Sequence, residues 1–356
     1  MNNRRNFPPK TARPTYDCVL ETVEGLEALA HDELLAFLPR LQDAQVTVSP
    51  SMVAFPYNSD LRRLANLKIA QAVYLAERYA VPRPKALLGD QHWRRFMAQI
   101  ETVRLLHDDS VFKSFTLSAA GTESSVMQRI RQEIAAETHL PEHDKGDLWI
   151  RILPAAGGGW QTLVRLFSRP LATRNWRVCS FEGALNATVA AAMNMLAGIE
   201  PHQAYLNLGS GSGTLMIERA AAQAETIIGV DHDAGVMQCA AQNITASGNH
   251  SLVQIMADLR TLPFSSAQFD ALTADLPFGQ KVGSHADNKT LYPAVLLEAA
   301  RVARTMSRFV AITHEVRLME SLLADSPHWQ LEQTIRITLR GLHPRIYVLR
   351  RTNHII

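Results

Sequence analysis

From Ala204 onward the chain alternates short apolar runs with helical ones, and the first crossover reads Gly209-Ser-Gly211-Ser-Gly213-Thr214. Residues 204–208 read as a strand, the glycine turn opens a helix running to about Ala224, and residues 226–230 form a second strand finishing in Asp231. A helix over 234–247, a strand over 252–256 before Asp258, and a strand ending in Asp275 continue the pattern. A helix over 291–305, a strand over 309–313, a helix over 315–324 and two long strands around Gly341 close it. Such alternation predicts a doubly wound parallel sheet, here with a closing antiparallel pair. Glycines between a strand and a helix let backbone approach a ligand that meets the free N–H groups of the helix end. Their spacing is Gly-x-Gly-x-Gly, not the Gly-x-Gly-x-x-Gly of a dinucleotide site.

The stretch Ala271-Leu-Thr-Ala-Asp275-Leu276-Pro277-Phe278-Gly279 reads as a buried strand ending in an acid, a proline and an aromatic. Proline keeps Leu276 out of helical geometry. The Asp275 carboxylate and the Leu276 carbonyl can then both accept from one planar exocyclic NH2, with Phe278 stacking on the ring that bears it. A strand end with a proline-stopped turn over a core phenylalanine is the alternative reading.

This stretch resembles the Asp/Asn-Pro-Pro-Tyr/Phe signature of methyltransferases that modify an exocyclic nitrogen of adenine, cytosine or guanine. The continuation Gly279-Gln-Lys281, Gly283-Ser and Asn288-Lys-Thr-Leu-Tyr292-Pro293 narrows the likeness to the THUMP-containing tRNA guanine-N2 methyltransferases. The resemblance runs from Tyr16 to Arg351. It implies a Rossmann-like class I methyltransferase domain over 171–356 with strand order 3-2-1-4-5-7-6, and methyl transfer from S-adenosylmethionine to guanosine N2 in tRNA. Asp275, Leu276, Pro277 and Phe278 become the catalytic residues. The cofactor residues are Asn207, Gly209, Ser210, Gly211, Gly213, Thr214, Asp231, Asp258, Leu259 and Asp275. Within that set Asp231 is placed at the ribose hydroxyls and Asp258 at the adenine amino group, unless Asp258 only caps the turn after it. Asn207 stands where such motifs usually carry aspartate, which removes a negative charge near the cofactor. Methylation of ribosomal RNA or DNA, and a non-catalytic RNA-binding protein with a decayed methyltransferase domain, remain competing readings.

Ahead of this domain, the same resemblance divides the chain into a basic disordered tail (1–14), a ferredoxin-like subdomain (15–82) and a THUMP-like RNA-binding domain (83–170). Residues 16–24 read as a strand, with a helix carrying Leu26, Ala30, Leu34 and Phe37 after it and short strands at 45–48 and 52–55. A long helix is predicted from Ser59, with Leu61, Ala65, Ile69, Ala72 and Ala76 inward. Val81-Pro-Arg-Pro84 reads as a stiff linker. Helices near 93–106 and around Val126, Ile130 and Ile134, with strands at 112–118, 148–153 and 160–167, make up the second unit. Residues 171–177 and 183–191 resemble the family's basic-aromatic strand end and the helix covering the cofactor, with Leu185, Val189, Ala192 and Leu196 on one side.

Net charge is only +2 over 356 residues, but arginine is unevenly spread. Arg151, Arg165, Arg169, Arg174 and Arg177 fall in one acid-free segment, and Arg336, Arg340, Arg345, Arg350 and Arg351 in another. Both segments are candidates for phosphate contact, or for charged sheet edges. Cys18, Cys179 and Cys239 lack Cys-x-x-Cys spacing and read as buried thiols, with no disulfide framework and no metal. No apolar run has the length of a membrane span, and no signal segment follows the first residues, so a cytoplasmic, membrane-free protein is expected, with a monomer favoured.

Overall fold

The computed structural model describes residues 14–121, 123–198, 200, 202–220, 226–278, 284–339 and 341–354. The N-terminal half runs β1 (Tyr16–Glu21), α1 (Glu27–Phe37), β2 (Thr47–Ser49), β3 (Met52–Tyr57), β4 (Ala72–Tyr79), α2 (Asp90–Arg104), β5 (Phe115–Ala119), α3 (Ser125–Thr138), β6 (Leu148–Pro154) and β7 (Trp160–Arg165). All seven strands join one sheet, in the order β2-β3-β1-β4-β7-β6-β5. Its two halves meet where β4 pairs antiparallel with both β1 and β7. The expected boundary at residues 82 and 83 therefore lies between elements of a single sheet.

Strand β4 overturns the predicted helix from Ser59 to Ala76. A short 3-10 turn, Leu61–Asn66, is started by the Asp60 carboxylate accepting from the Arg62 N–H at 3.0 Å, and it ends at an extended Leu67. The period-four alanines fit a helix equally well, but Val73, Leu75 and Tyr79 alternate onto the core face of a strand. Ladder bonds from strands on both sides decide the outcome, which no local pattern records.

The C-terminal half runs α4 (Ala187–Ala197), β8 (Ala204–Leu208), α5 (Thr214–Ala220), β9 (Thr226–Asp231), α6 (Ala234–Ser247), β10 (Leu252–Met256), β11 (Phe269–Asp275), α7 (His285–Val302), β12 (Ala303–Thr313), α8 (Val316–Ala324), β13 (Trp329–Arg336) and β14 (Arg345–Arg351). Strand order is β10-β9-β8-β11-β12-β14-β13, with β14 antiparallel to both its neighbours. Counted within this half, that is the expected 3-2-1-4-5-7-6. The predicted extension of the second helix to Ala224 falls outside the described residues.

One face of this sheet packs under α7 and α8 through Leu272, Ala274, Val295, Phe309 and Trp329. The other packs against α4, and that core continues into the N-terminal sheet. Helix α4 is buried nearly throughout, which is why its composition is so rich in alanine. The halves also touch through backbone. Glu24 bridges Thr338, and Gly25, at φ +97°, lies so close to the Arg336 carbonyl that a Cβ would sit 2.0 Å from its oxygen.

The arginine clusters are largely internal fasteners. Arg165 is buried and donates to the carbonyls of Asp147, Phe167 and Ser168, and Arg351 donates to those of Ala300, Thr352 and His354. Arg151 pairs with Glu21, Arg345 with Glu320, and Arg350 with Glu332. A guanidinium carries five donors in a rigid fork, so it closes carbonyl-rich corners that no apolar side chain satisfies. Arg169 and Arg336 stay exposed, and Arg340 is outside the described residues. The cysteines also depart from expectation. Cys179 and Cys239 form a disulfide with Cα atoms 5.4 Å apart, and only Cys18 is a free, buried thiol. Sixty residues of separation hide that pairing until the chain after Arg177 is laid along α6.

Arg174 ties the halves together. Its side chain is 8% exposed, and it donates to both oxygens of Glu218 on α5, itself 3% exposed, and to the carbonyls of Leu171 and Lys68. Breaking a buried pair strands the remaining charge. Arg174→Met is therefore expected to lower unfolding free energy by about 3 to 5 kcal/mol, with the double variant Arg174→Met/Glu218→Leu recovering much of the loss. Urea denaturation of the three proteins checks this, and equal losses in the single and double variants would contradict it.

Candidate active site

Strand order reverses between the paired strands β8 and β11, and their carboxyl ends mark the place where open α/β sheets bind ligands. Gly209, Gly211 and Gly213 all take positive φ, at +67°, +54° and +77°, a region that side chains with a Cβ avoid. The loop is sewn to its neighbours by Ser210 N–H donating to the Val230 carbonyl and Gly213 N–H to that of Ser210. Asp231 accepts from the N–H groups of Gly211, His232 and Asp233 at 2.9, 2.8 and 3.1 Å. Its carboxylate thus orders the loop, and about one of its four lone-pair positions is left for a ligand.

Thr214 accepts from Arg177 at 2.8 Å and lies 3.0 Å from the Ser212 hydroxyl, so its hydroxyl serves the fold. Ser210 Oγ and Asn207 Oδ1 are buried and have no hydrogen-bond partner among the described residues. The Asn207 amide group instead donates to the Thr273 carbonyl at 3.3 Å. An aspartate at this position would set an acceptor against that carbonyl, so the departure at 207 suits the strand pairing of β8 with β11. Leu259 approaches the loop, its Cδ1 3.8 Å from the Cβ position of Gly209. Asp258 is engaged elsewhere in this structure. Its side chain is 47% exposed and paired with Arg260, and it accepts from the Arg260 N–H at 2.8 Å. Those bonds hold its carboxyl down at about 2. This is the turn-capping arrangement.

Asp275 ends β11 beside the glycine loop, its carbonyl 3.8 Å from the Gly209 Cβ position. Strand β12 positions it, pairing Asp275 with Ile312 and taking the Leu276 N–H onto the Ile312 carbonyl at 3.0 Å. No described residue donates to the Asp275 carboxylate or to the Leu276 carbonyl. Burial without a partner pushes the Asp275 carboxyl up to about 7. Phe278 is half-buried, its ring tilted 33° against His314 with centroids 6.1 Å apart. Residues 279–283 lie outside the described residues.

Sequence reasoning passed over His314 and Glu315. Both follow the end of β12, and the rule that singled out Asp231 and Asp275 at strand ends would have found them. It also passed over the segment after Arg177. There Asn243 accepts from the N–H groups of Val178 and Cys179 and donates to the carbonyls of Cys179 and Ser212, and Phe181 reaches within 3.7 Å of the Gly211 Cβ position. The glycine loop is therefore flanked by a strap that the disulfide also fastens. Among the described residues no group of three His, Cys, Asp or Glu side chains is placed to hold a metal ion.

Residues 174–345 match the family model described as RMKL-like, methyltransferase domain. The tRNA (guanine(6)-N(2))-methyltransferase THUMP3 of Mus musculus is 28% identical over 183 residues, 47% of this chain and 36% of that protein. A tRNA (guanine(6)-N2)-methyltransferase of Thermus thermophilus is 28% identical over 188 residues, 52% of this chain and 55% of that protein. The chain thus covers about a third to a half of these curated relatives. Among solved structures, TrmN from Thermus thermophilus superposes with a TM-score of 0.77 at 23% identity, over 95% of this chain and 100% of that one. SMU.472, complexed with SAH, superposes with a TM-score of 0.69 at 14% identity, over 96% of this chain and 99% of that one. These likenesses confirm the fold.

The buried Asp275 carboxylate, without a donor among the described residues, has a consequence for stability. The folded state holds its proton up to about 7, whereas an unfolded aspartate releases it near 4. Stability tied to this group is therefore present at low pH and lost as pH rises through that window. Asp275→Asn is expected to be more stable than wild type at pH 8 by about 1 to 3 kcal/mol, after discounting for the side chain's partial exposure. The gain should fade toward pH 4. Denaturation curves at both pH values check it, and a gain independent of pH would refute a buried, charged Asp275 as its origin.

Proposed function

We propose that the chain, whose residues 174–345 match the family model described as RMKL-like, methyltransferase domain, methylates the exocyclic N2 amine of a guanosine in tRNA, using S-adenosylmethionine. The observation that carries this reading is the pair of acceptors at the carboxyl end of the central strand β11. The Asp275 carboxylate and the Leu276 carbonyl have no donors among the described residues, and they stand beside a glycine loop whose conformation excludes side chains.

The residues present fit the cofactor. Asn207 Oδ1 is a buried acceptor without a donor, suited to an ammonium group, and the remaining lone pair of Asp231 suits a ribose hydroxyl. Gly209, Gly211 and Gly213 give the backbone close approach, Ser210 adds a spare hydroxyl, and Leu259 lines the side. S-adenosylmethionine would supply an electrophilic methyl group. An aromatic amine is a poor nucleophile because its lone pair is delocalised into the ring. Asp275 and Leu276, accepting from its two hydrogens, favour the tetrahedral nitrogen and stabilise the positive charge that grows on it. Phe278, with His314 beside it, offers a wall for a base taken out of its stack. In this reading residues 15–82 and 83–170 are a ferredoxin-like subdomain and a THUMP-like domain, which grip tRNA by shape and phosphate contacts. The names of the mouse and Thermus relatives support both the substrate and the methylated nitrogen.

Incubation of unmodified tRNA with the protein and labelled S-adenosylmethionine, followed by nucleoside analysis, tests the proposal. N2-methylguanosine is the expected product, and any other methylated nucleoside, or none, would overturn it. A neutral Asp275 carboxyl accepts poorly, so the single-turnover rate should rise with pH and reach half its maximum near 7. Asp275→Ala should slow that step by about 10²-fold or more while cofactor binding persists.

A further inference from the structure

We propose that Tyr292 and Asn288 are positioning residues, whose joint hold on the Pro277 carbonyl aims the Asp275 carboxylate and the Leu276 carbonyl at the target amine. The inference deepens the function proposed above and rests on it for the identity of that amine. Tyr292 donates its hydroxyl to the Pro277 carbonyl at 2.6 Å, and Asn288 donates its amide group to the same oxygen at 3.0 Å. Both side chains are fully buried. Their spacing of four residues on α7 puts them on one helix face, which is how two side chains reach a single carbonyl.

The donors are themselves held. Tyr292 also lies 2.6 Å from Thr313 Oγ1, which accepts from the Glu315 N–H at 2.9 Å. A carbonyl has no hydrogen to give, so Tyr292 must donate to Pro277 and Thr313 must donate to Tyr292. The hydrogens thus run one way, from Glu315 N–H through Thr313 and Tyr292 to Pro277. Asn288 extends the same scaffold, approaching Glu315 Oε1 at 3.4 Å, while Glu315 Oε2 meets His285 at 2.8 Å.

The effect on the reactive atoms follows from the covalent chain. The Leu276 N–H is fixed to the Ile312 carbonyl, and the Pro277 carbonyl is fixed by the two helix side chains. Between these anchors lies the planar Leu276–Pro277 peptide, whose torsions are narrowed by the proline ring and by the clash it imposes on the preceding residue. The Leu276 carbonyl has few directions left. Asp275, one residue earlier, is held in the β12 register by the same anchor at Ile312. Neither Tyr292 nor Asn288 has to touch substrate for this to work.

Two measurements on the full chain test the proposal, one without any substrate. Tyr292→Phe keeps the ring and removes both hydroxyl bonds, and Thr313→Val keeps the hydroxyl on Pro277 but removes the partner that orients it, together with the acceptor of the Glu315 N–H. If the hold keeps Asp275 away from water, Tyr292→Phe lets water reach the carboxylate. The stabilisation of Asp275→Asn at pH 8 should then fall by at least half in the Tyr292→Phe background. In single-turnover methylation of tRNA, Tyr292→Phe should lose 10- to 100-fold in rate, and Thr313→Val less, with the dissociation constants for S-adenosylhomocysteine and tRNA within twofold of wild type. The pH at half-maximal rate should move down by about one unit. Additive stabilities in the cycle together with rates within threefold of wild type would overturn the proposal. If wild type fails to methylate tRNA, the functional reading falls, and the substrate-free cycle decides the inference by itself.

Discussion

Parallel pairing of β8 with β11 is the constraint on which the rest of this structure depends. It brings Asn207 level with Thr273, and so sets the glycine loop after β8 against the acid that ends β11. Neither element is unusual alone. Glycine turns begin many helices, and an acid before proline often ends a strand. Placed side by side at the point where strand order reverses, they set a glycine backbone against two acceptors that have no donor among the described residues.

Three strand-end or near-strand-end acids show how environment assigns roles to one kind of side chain. Asp231 is nearly filled by backbone donors and works as a brace for the loop. Asp258, exposed beside Arg260, is held ionised by a guanidinium and its own turn. Asp275 receives no donor among the described residues and is costly to charge. A fold retains such a group at a net loss of stability, and perturbed groups of this kind gather where chemistry occurs. Around it, Tyr292, Thr313 and Glu315 are joined by hydrogen bonds and the Asn288 amide group donates to Pro277, while Asn288 Oδ1 is buried without a partner among the described residues.

Arginine has a different part here from the one its clustering suggests. Two acid-free segments invite a reading as phosphate-binding stripes, yet their side chains mostly turn inward onto carbonyls or reach acids contributed from far along the chain. Arg174 and Glu218 join the linker between the halves to the helix that begins at the glycine loop. The sheet of the N-terminal half and the glycine loop are thus mechanically connected through one buried ion pair and a continuous apolar core.

Local chemistry made much of this protein legible from residues alone. The glycine spacing, the acids at strand ends and the proline that stops β11 each act within a few residues, and the alternation of strands and helices then leaves essentially one way to wind the sheet. The same reasoning failed at Ala72–Tyr79, because a period of four in alanine serves a helix, while two flanking strands supply hydrogen bonds that no local pattern announces. It missed Cys179 with Cys239, the inward arginines, and the place of His314 beside Phe278 for a related reason. Those depend on which distant segments become neighbours. Tertiary structure alone decided that Asp231 would be largely taken by backbone donors and that Asp275 would have none among the described residues, since a side chain's protonation and hydrogen bonds follow from what the fold packs around it.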